Sequence, residues 1–361
     1  MNPTQKLHDA GQSLWLDNIT RELLSSGKLQ RHIDDLSVTG LTSNPTIFDQ
    51  AIEHSDAYDA DIKAAAARGE DQETIFFNLA IDDLRAAADL FRPIHDRTDR
   101  VDGWVSLEVA PLLVDDADGT IAAASGLHRR AGRENLFIKI PGTTAGLKAI
   151  EESIFAGIPV NVTLLFSAAQ YQAAADAYMR GLERRVKQGL PPDVTSVASV
   201  FVSRWDRAVT DAVPERLRNR IGIAAAVQAY RAYRQLLDSD RWQRLANAGA
   251  RAQRLLFAST STKDPAAPDI LYISALAAPF TVNTMPEETL VAFGDHGAVG
   301  QMVPSDGGNC DQVMKELGES GTDPVELASL LQQQGADAFA KSWRSLLERV
   351  KGQAGQVAAG R

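Results

Sequence analysis

Short apolar runs alternate along the chain with longer stretches in which apolar residues recur at helical spacing. Thr4 to Ala10 reads as an opening helix, and Ser13–Asp17 as a first strand ending on a carboxylate. A helix from Ile19 is closed by Gly27, and Val38–Thr42 forms a second strand. Pro45 holds Asn44 out of helical geometry, so a new helix starts there and the pattern stays helical to Phe91. Further strands are predicted over Trp104–Val109, Leu136–Ile140, Pro159–Thr163, Thr195–Phe201 and Arg254–Ala258. Between them lie helical patterns over Asp118–Ala131, Thr144–Phe155, Ser167–Gln188 and Arg204–Ala250. An eighth strand falls within Tyr272–Val282 and is placed at Pro279–Val282, although Leu271–Ala278 reads equally well as helix.

Strand followed by helix, repeated in this way, is the sequence form of a single (β/α)₈ barrel, of the α/β class, spanning residues 1–361. A doubly wound sheet would carry a glycine-rich phosphate loop after an early strand, and Asp306-Gly307-Gly308-Asn309 follows no strand. Extra helix is expected after the second and sixth strands. A C-terminal helical segment over 322–350 should pack on the barrel, capped by Thr322 or Asp323 with Pro324 in its first turn. Its apolar positions are Leu327, Leu330, Leu331, Phe339, Trp343 and Leu347. The tail over 352–361 is expected to fray.

Composition narrows the function classes. A formal net charge of -10 argues against nucleic acid or an anionic membrane as partner, while leaving room for a phosphorylated metabolite held by a few local cations. The chain has one cysteine, Cys310, which fits a reducing compartment, and no signal-like start or spanning apolar run, so a cytoplasmic protein is expected. The histidines show no ligand spacing, and no metal or other cofactor is implied.

One residue breaks the pattern. Lys139 interrupts the apolar run Leu136–Ile140, and lysine is among the side chains least often found inside. Pleat alternation puts Phe137 and Lys139 on one face and Ile138 and Ile140 on the other. With the isoleucines turned to helices, the amine points into the barrel, where a neutral lysine can attack a carbonyl. A snorkelling or ion-paired lysine is the plainer reading of Lys139 taken alone. Other polar residues sit where strands finish: Asp17, Asn44, Glu108, Asn161, Thr163, Ser199 and Ser259. In a barrel these ends converge on one mouth. An Asp or Asn after a strand is often only a helix cap, but Glu108, Asn161 and Thr163 lie inside strands where no cap is needed.

These residues carry a resemblance to the transaldolases. Gly40-Leu41-Thr42-Ser43-Asn44-Pro45-Thr46-Ile47-Phe48 resembles the family's first signature, and Ile138-Lys139-Ile140-Pro141-Gly142-Thr143 its Schiff-base strand. Asn161–Ser167, Trp15-Leu16-Asp17, Ser106-Leu107-Glu108 and Ser199–Arg204 are similar in the same order, over roughly residues 10–350. The chain departs from the pattern at Val200, where proline is common, at Ser203, where glycine is usual, and at Lys263, where other branches place arginine. The resemblance implies transfer of a dihydroxyacetone unit from sedoheptulose 7-phosphate to glyceraldehyde 3-phosphate. The products would be erythrose 4-phosphate and fructose 6-phosphate, in the non-oxidative pentose phosphate pathway. Lys139 would form the Schiff base, Asp17 would serve the carbon–carbon bond, and Glu108 with Thr163 would hold a proton-shuttling water. Asn44 and Asn161 would bind hydroxyls, Ser199 and Phe201 would line the wall, and Arg204, Lys263 and Ser259 would take the phosphate. The partners would be sugar phosphates, the chain a monomer or homodimer. An aldolase that releases free dihydroxyacetone, and a barrel that binds sugar phosphates without catalysis, are the competing readings.

Overall fold

The computed structural model describes residues 2–355. Its strands are β1 (Gln12–Asp17), β2 (Val38–Thr42), β3 (Trp104–Glu108) and β4 (Leu136–Pro141), followed by β5 (Val160–Leu165), β6 (Ser196–Phe201), β7 (Arg254–Ala258) and β8 (Thr281–Met285). They pair in sequence order, all parallel, and β1 closes on β8, making the expected (β/α)₈ barrel.

Three expectations are corrected. The eighth strand runs over Thr281–Met285, not Pro279–Val282, and Leu271–Ala275 before it is a helix. Pro279 and Phe280 instead turn the chain into the strand, Phe280 at a positive φ of 62°. The helical pattern from Ile47 to Phe91 is several helices, Pro45–Glu53, Asp59–Ala67 and Gln72–Arg97. Local chemistry makes the breaks: Gly69 takes a φ of +79°, and the Asp71 side chain caps the next helix at Thr74 N. The stretch Arg204–Ala250 likewise divides into Ser203–Val209, Ile221–Leu237 and Asp240–Asn247, the last capped by Ser239.

Aromatic rings fill the barrel beneath the mouth. Trp104 stacks on Phe137 at 4.1 Å between centroids, and Trp15 lies 6.1 Å from the same ring. Gly40 in β2 makes this possible, since a Cβ there would stand 2.6 Å from the Trp15 indole. Lower still, an ion pair of the buried Asp102 with the part-buried Arg254 closes the base. Arg254 reaches Asp102 at 3.2 Å and donates to the Val101 and Thr281 carbonyls and to Ser13. Asp102 also accepts from Ser13 and from the Trp15 indole.

The C-terminal helix runs over Pro324–Gly355; the remainder of the tail expected to fray, from 356, lies outside the described residues. It crosses the opposite end of the barrel. Gln332 donates to the carbonyls of Gly142 and Leu164, past the ends of β4 and within β5. Thr46 bonds Ser342 at 2.8 Å, Arg349 pairs with Asp49, and Trp343 packs edge-on to Phe76. Among the described residues no helix is long and apolar enough to cross a membrane.

Candidate active site

Strand register assembles the site. Glu108, Lys139 and Asn161 pair side by side on β3, β4 and β5, which puts their side chains on one face at one height. Lys139 is buried, with its Nζ 3.4 Å from Glu108 Oε2 and donating to the Ser43 carbonyl at 3.1 Å. Ser43 belongs to the segment that leaves β2, and two bonds hold that segment in place. Its own hydroxyl donates to Ser106 O at 2.8 Å, and Asn44 caps the following helix by accepting from Ile47 N. The Ser-Asn-Pro sequence is thus a device for turning a carbonyl toward the lysine.

Asp17 ends β1 within the same mouth. It caps no helix, because Thr20 caps the one that follows. Its carboxylate instead accepts from Thr42 at 2.7 Å, and Thr42 is bonded in turn to Thr284 on β8. Burial pushes the Asp17 carboxyl above its ordinary value, with the attraction of Lys139 and the Thr42 bond opposing that rise. Burial likewise raises Glu108, against the pull of Lys139. The two buried carboxyls therefore hold protons more readily than carboxyls in water do.

Asn161 is fully buried, accepting from Ser199 at 2.7 Å and donating to Ser106 at 3.1 Å. This chain of bonds ties β3, β5 and β6 together and reaches the cavity wall at Ser199. Thr163 stands one pleat above Asn161, and its buried hydroxyl has no hydrogen-bond partner, as is also true of Glu108 Oε2. Buried polar atoms are usually paired, so two such oxygens beside one lysine mark a place built for something other than packing.

The cavity above Lys139 measures about 200 Å³ and is lined by Asp17, Asn44, Thr163, Ser199, Phe201 and Arg204, with Ser259 and Lys263 on the β7 side. It adjoins a wider vestibule of about 700 Å³ that shares Asp17, Asn44, Arg204 and Lys263. Of the residues picked out from the sequence, Glu108 and Asn161 alone do not line the cavity. Arg204 is half-buried with its guanidinium 5.2 Å from the Phe201 ring, and burial with nearby Arg207 holds it below its usual range. Among the described residues neither Arg204 nor Lys263 has a carboxylate partner. Ser259 bonds Ser203 at 2.9 Å at the same rim, with a φ of +56°.

Phe339 also belongs here, although it is not among the site residues picked out from the sequence. From the C-terminal helix it roofs the cavity, its ring 5.8 Å from Lys139 Nζ and 5.9 Å from the Arg204 guanidinium. Its only signal was helical spacing, which a core residue shares.

Fold and geometry define a (β/α)₈ barrel with a buried amine, a paired carboxylate and an unpaired cation gathered at the C-terminal ends of its strands. The chain matches the family model described as Transaldolase/Fructose-6-phosphate aldolase over residues 14–350, and it belongs to that family. Among its relatives, a transaldolase from Parafrankia sp. is 43% identical over 99% of each chain. A transaldolase from Thermobifida fusca is 44% identical over 97% of each, and transaldolase 2 from Nostoc sp. is 37% identical over 98% of this chain and 97% of its own.

Proposed function

We propose that the chain is a transaldolase that moves a three-carbon ketol unit between sugar phosphates through an imine on Lys139. The observation that carries this is Lys139 itself, a buried amine with one carbonyl and one carboxylate for company, opening onto a cavity of sugar size. The neutral amine would add to the ketose carbonyl, water would leave, and the iminium would accept the electron pair of the adjacent carbon–carbon bond as it breaks. Asp17 would take the proton from the hydroxyl on the far side of that bond and return it when the acceptor aldehyde adds. Glu108, whose Oε2 faces only the Lys139 ammonium, and Thr163, whose hydroxyl has no partner, are the groups suited to hold the water that is lost and regained. Asn44, Ser199 and Phe201 would bind and shape the sugar chain, and Asn161 would fix Ser199. Arg204, Lys263 and Ser259 would receive the phosphate, the guanidinium as a fork and the ammonium as a point charge.

Incubation with fructose 6-phosphate and borohydride tests the reading. A reduced dihydroxyacetone adduct should appear on the peptide containing Lys139. An adduct confined to Lys148 or Lys263 overturns it. The family's description also covers an aldolase that releases its fragment, so turnover should require an acceptor aldehyde; steady release of dihydroxyacetone without one would favour that activity.

A further inference from the structure

Gly335 lies in the interior of the C-terminal helix, where glycine weakens a helix relative to alanine, so its presence asks for a reason. A Cβ at this position would stand 2.9 Å from Leu164 Cδ2 and 3.1 Å from Arg204 Nη1. Both distances are shorter than non-bonded heavy atoms settle at. Both atoms are ends of flexible side chains, so an added methyl group would move the side chains and not the helix. The helix is also anchored independently, by Gln332 on the Gly142 and Leu164 carbonyls and by Arg349 on Asp49. Leu164 is packed in the core, so its Cδ2 has less room to yield than the half-buried Arg204. Arg204 is the partner free to move. Its guanidinium occupies a slot between the rings of Phe201 and Phe339, with Gly335 at the back.

We propose that Gly335 is a positioning residue for phosphate recognition: its missing side chain lets the Arg204 guanidinium lie against the C-terminal helix and present its donors to the phosphate monoester of the sugar. The proposal rests on the reading of Arg204 as a phosphate ligand. It makes the C-terminal helix a determinant of substrate choice, since a helix with any side chain at 335 would tilt the fork away from the cavity.

The test is a double-mutant cycle read as a ratio, kcat/KM for fructose 6-phosphate over kcat/KM for fructose, each with erythrose 4-phosphate as acceptor. Gly335→Ala should lower the ratio roughly 10- to 100-fold, the scale of losing a well-placed hydrogen bond to a charged group, and mainly through KM of the phosphorylated donor. In an Arg204→Lys background, which lacks the fork, Gly335→Ala should lower the ratio no further. Equal losses on both donors, an unchanged ratio, or the same loss in the Arg204→Lys background would each overturn the proposal. If Arg204→Ala itself leaves the ratio unchanged, the phosphate reading fails first, and that result is visible without Gly335. Should Gly335→Ala not fold, the cycle is repeated on Leu164→Ala, which removes the tighter contact and leaves the one to Arg204.

Discussion

The barrel holds a cation beside a buried carboxylate at both ends, Lys139 buried at the mouth and Arg254 part-buried at the base, and the two pairs are built differently. At the base, Arg254 and Asp102 sit in a dense network: Asp102 accepts from Arg254, Ser13 and Trp15, and the two terminal nitrogens of Arg254 also donate to two carbonyls and Ser13. At the mouth, Lys139 has one carbonyl and one carboxylate oxygen, and that oxygen and the Thr163 hydroxyl have no hydrogen bond. A densely bonded pair fixes geometry and has little left to give a substrate. An unsaturated one costs the fold desolvation energy and persists where the groups are needed for something else. The base is scaffold, and the mouth is where chemistry is available.

Breaking the mouth should therefore abolish function and spare the fold. Lys139→Arg keeps the positive charge but supplies a guanidinium that stays protonated and cannot add to a carbonyl. Activity should fall by on the order of 10⁴-fold or more, as for loss of other covalent nucleophiles, and the borohydride adduct should vanish. Circular dichroism and the melting transition should remain those of a folded barrel. Residual adduct at the normal rate would mean that another lysine carries the reaction.

The next largest effects should separate the two acids of the mouth by the step at which they fail. Asp17→Ala should still form the imine but not cleave the sugar, so the trapped adduct should carry the whole ketose. Glu108→Ala should be slow to form any adduct. Each should cost roughly 10²- to 10⁴-fold in turnover, the usual range for a positioned acid or base. Three-carbon adduct from Asp17→Ala at the normal rate would remove Asp17 from the carbon–carbon bond. It could not then be reassigned as a helix cap, because Thr20 already fills that place.

Breaking the base should do the reverse. Asp102→Ala takes the carboxylate from the part-buried Arg254 and leaves the Trp15 indole without its acceptor, which should destabilise the protein by about 1.5–3 kcal/mol. The fraction of folded protein trapped by borohydride should not change. An unaltered denaturation midpoint would show the base pair to be dispensable, and a lost adduct in folded protein would show that it reaches the site.

The same contrast explains what could be read from the sequence. Lys139 stood out because charge in an apolar strand is conspicuous, and Glu108 and Asn161 fell beside it because parallel strands align like residues at like heights. β8 was displaced because it carries Thr281, Asn283 and Thr284, whose polarity is met inside the protein by Ala278 O, Thr260 and Thr42, so no apolar run announces it. The long helical stretches hid their breaks because Ser, Asp and Gly punctuate a helix locally without disturbing its apolar spacing. Phe339 and Gly335 were invisible as site residues for a different reason. A helix lying across a mouth and a helix packed on a flank show the same periodicity, and only the tertiary path of residues 324–355 tells them apart.

The smallest effect should come from neutralising the mouth without emptying it. In Asp17→Asn the side chain keeps its shape and can still accept from Thr42, so the change is mainly one of charge. Burial raises the Asp17 carboxyl above its ordinary value even against the pull of Lys139, so the folded protein binds that proton more readily than the unfolded chain. Below the ordinary carboxylate value of about 4 the group is protonated in both states and costs nothing. As pH rises through that value and then through the raised one, the unfolded chain releases its proton first, and the stability contributed by the protonated form is lost. Asp17→Asn should thus be more stable than the parent at about pH 7, by roughly 0.5–2 kcal/mol, the range of many stabilising substitutions. The gain should shrink to nothing in melts well below about pH 4. The same raised value should place the acid limb of kcat/KM above the ordinary carboxylate range, since Asp17 must be ionised to act as a base. A loss of stability at neutral pH would show that the attraction of Lys139 outweighs burial, and the mouth would then resemble the base more than its unpaired oxygens suggest.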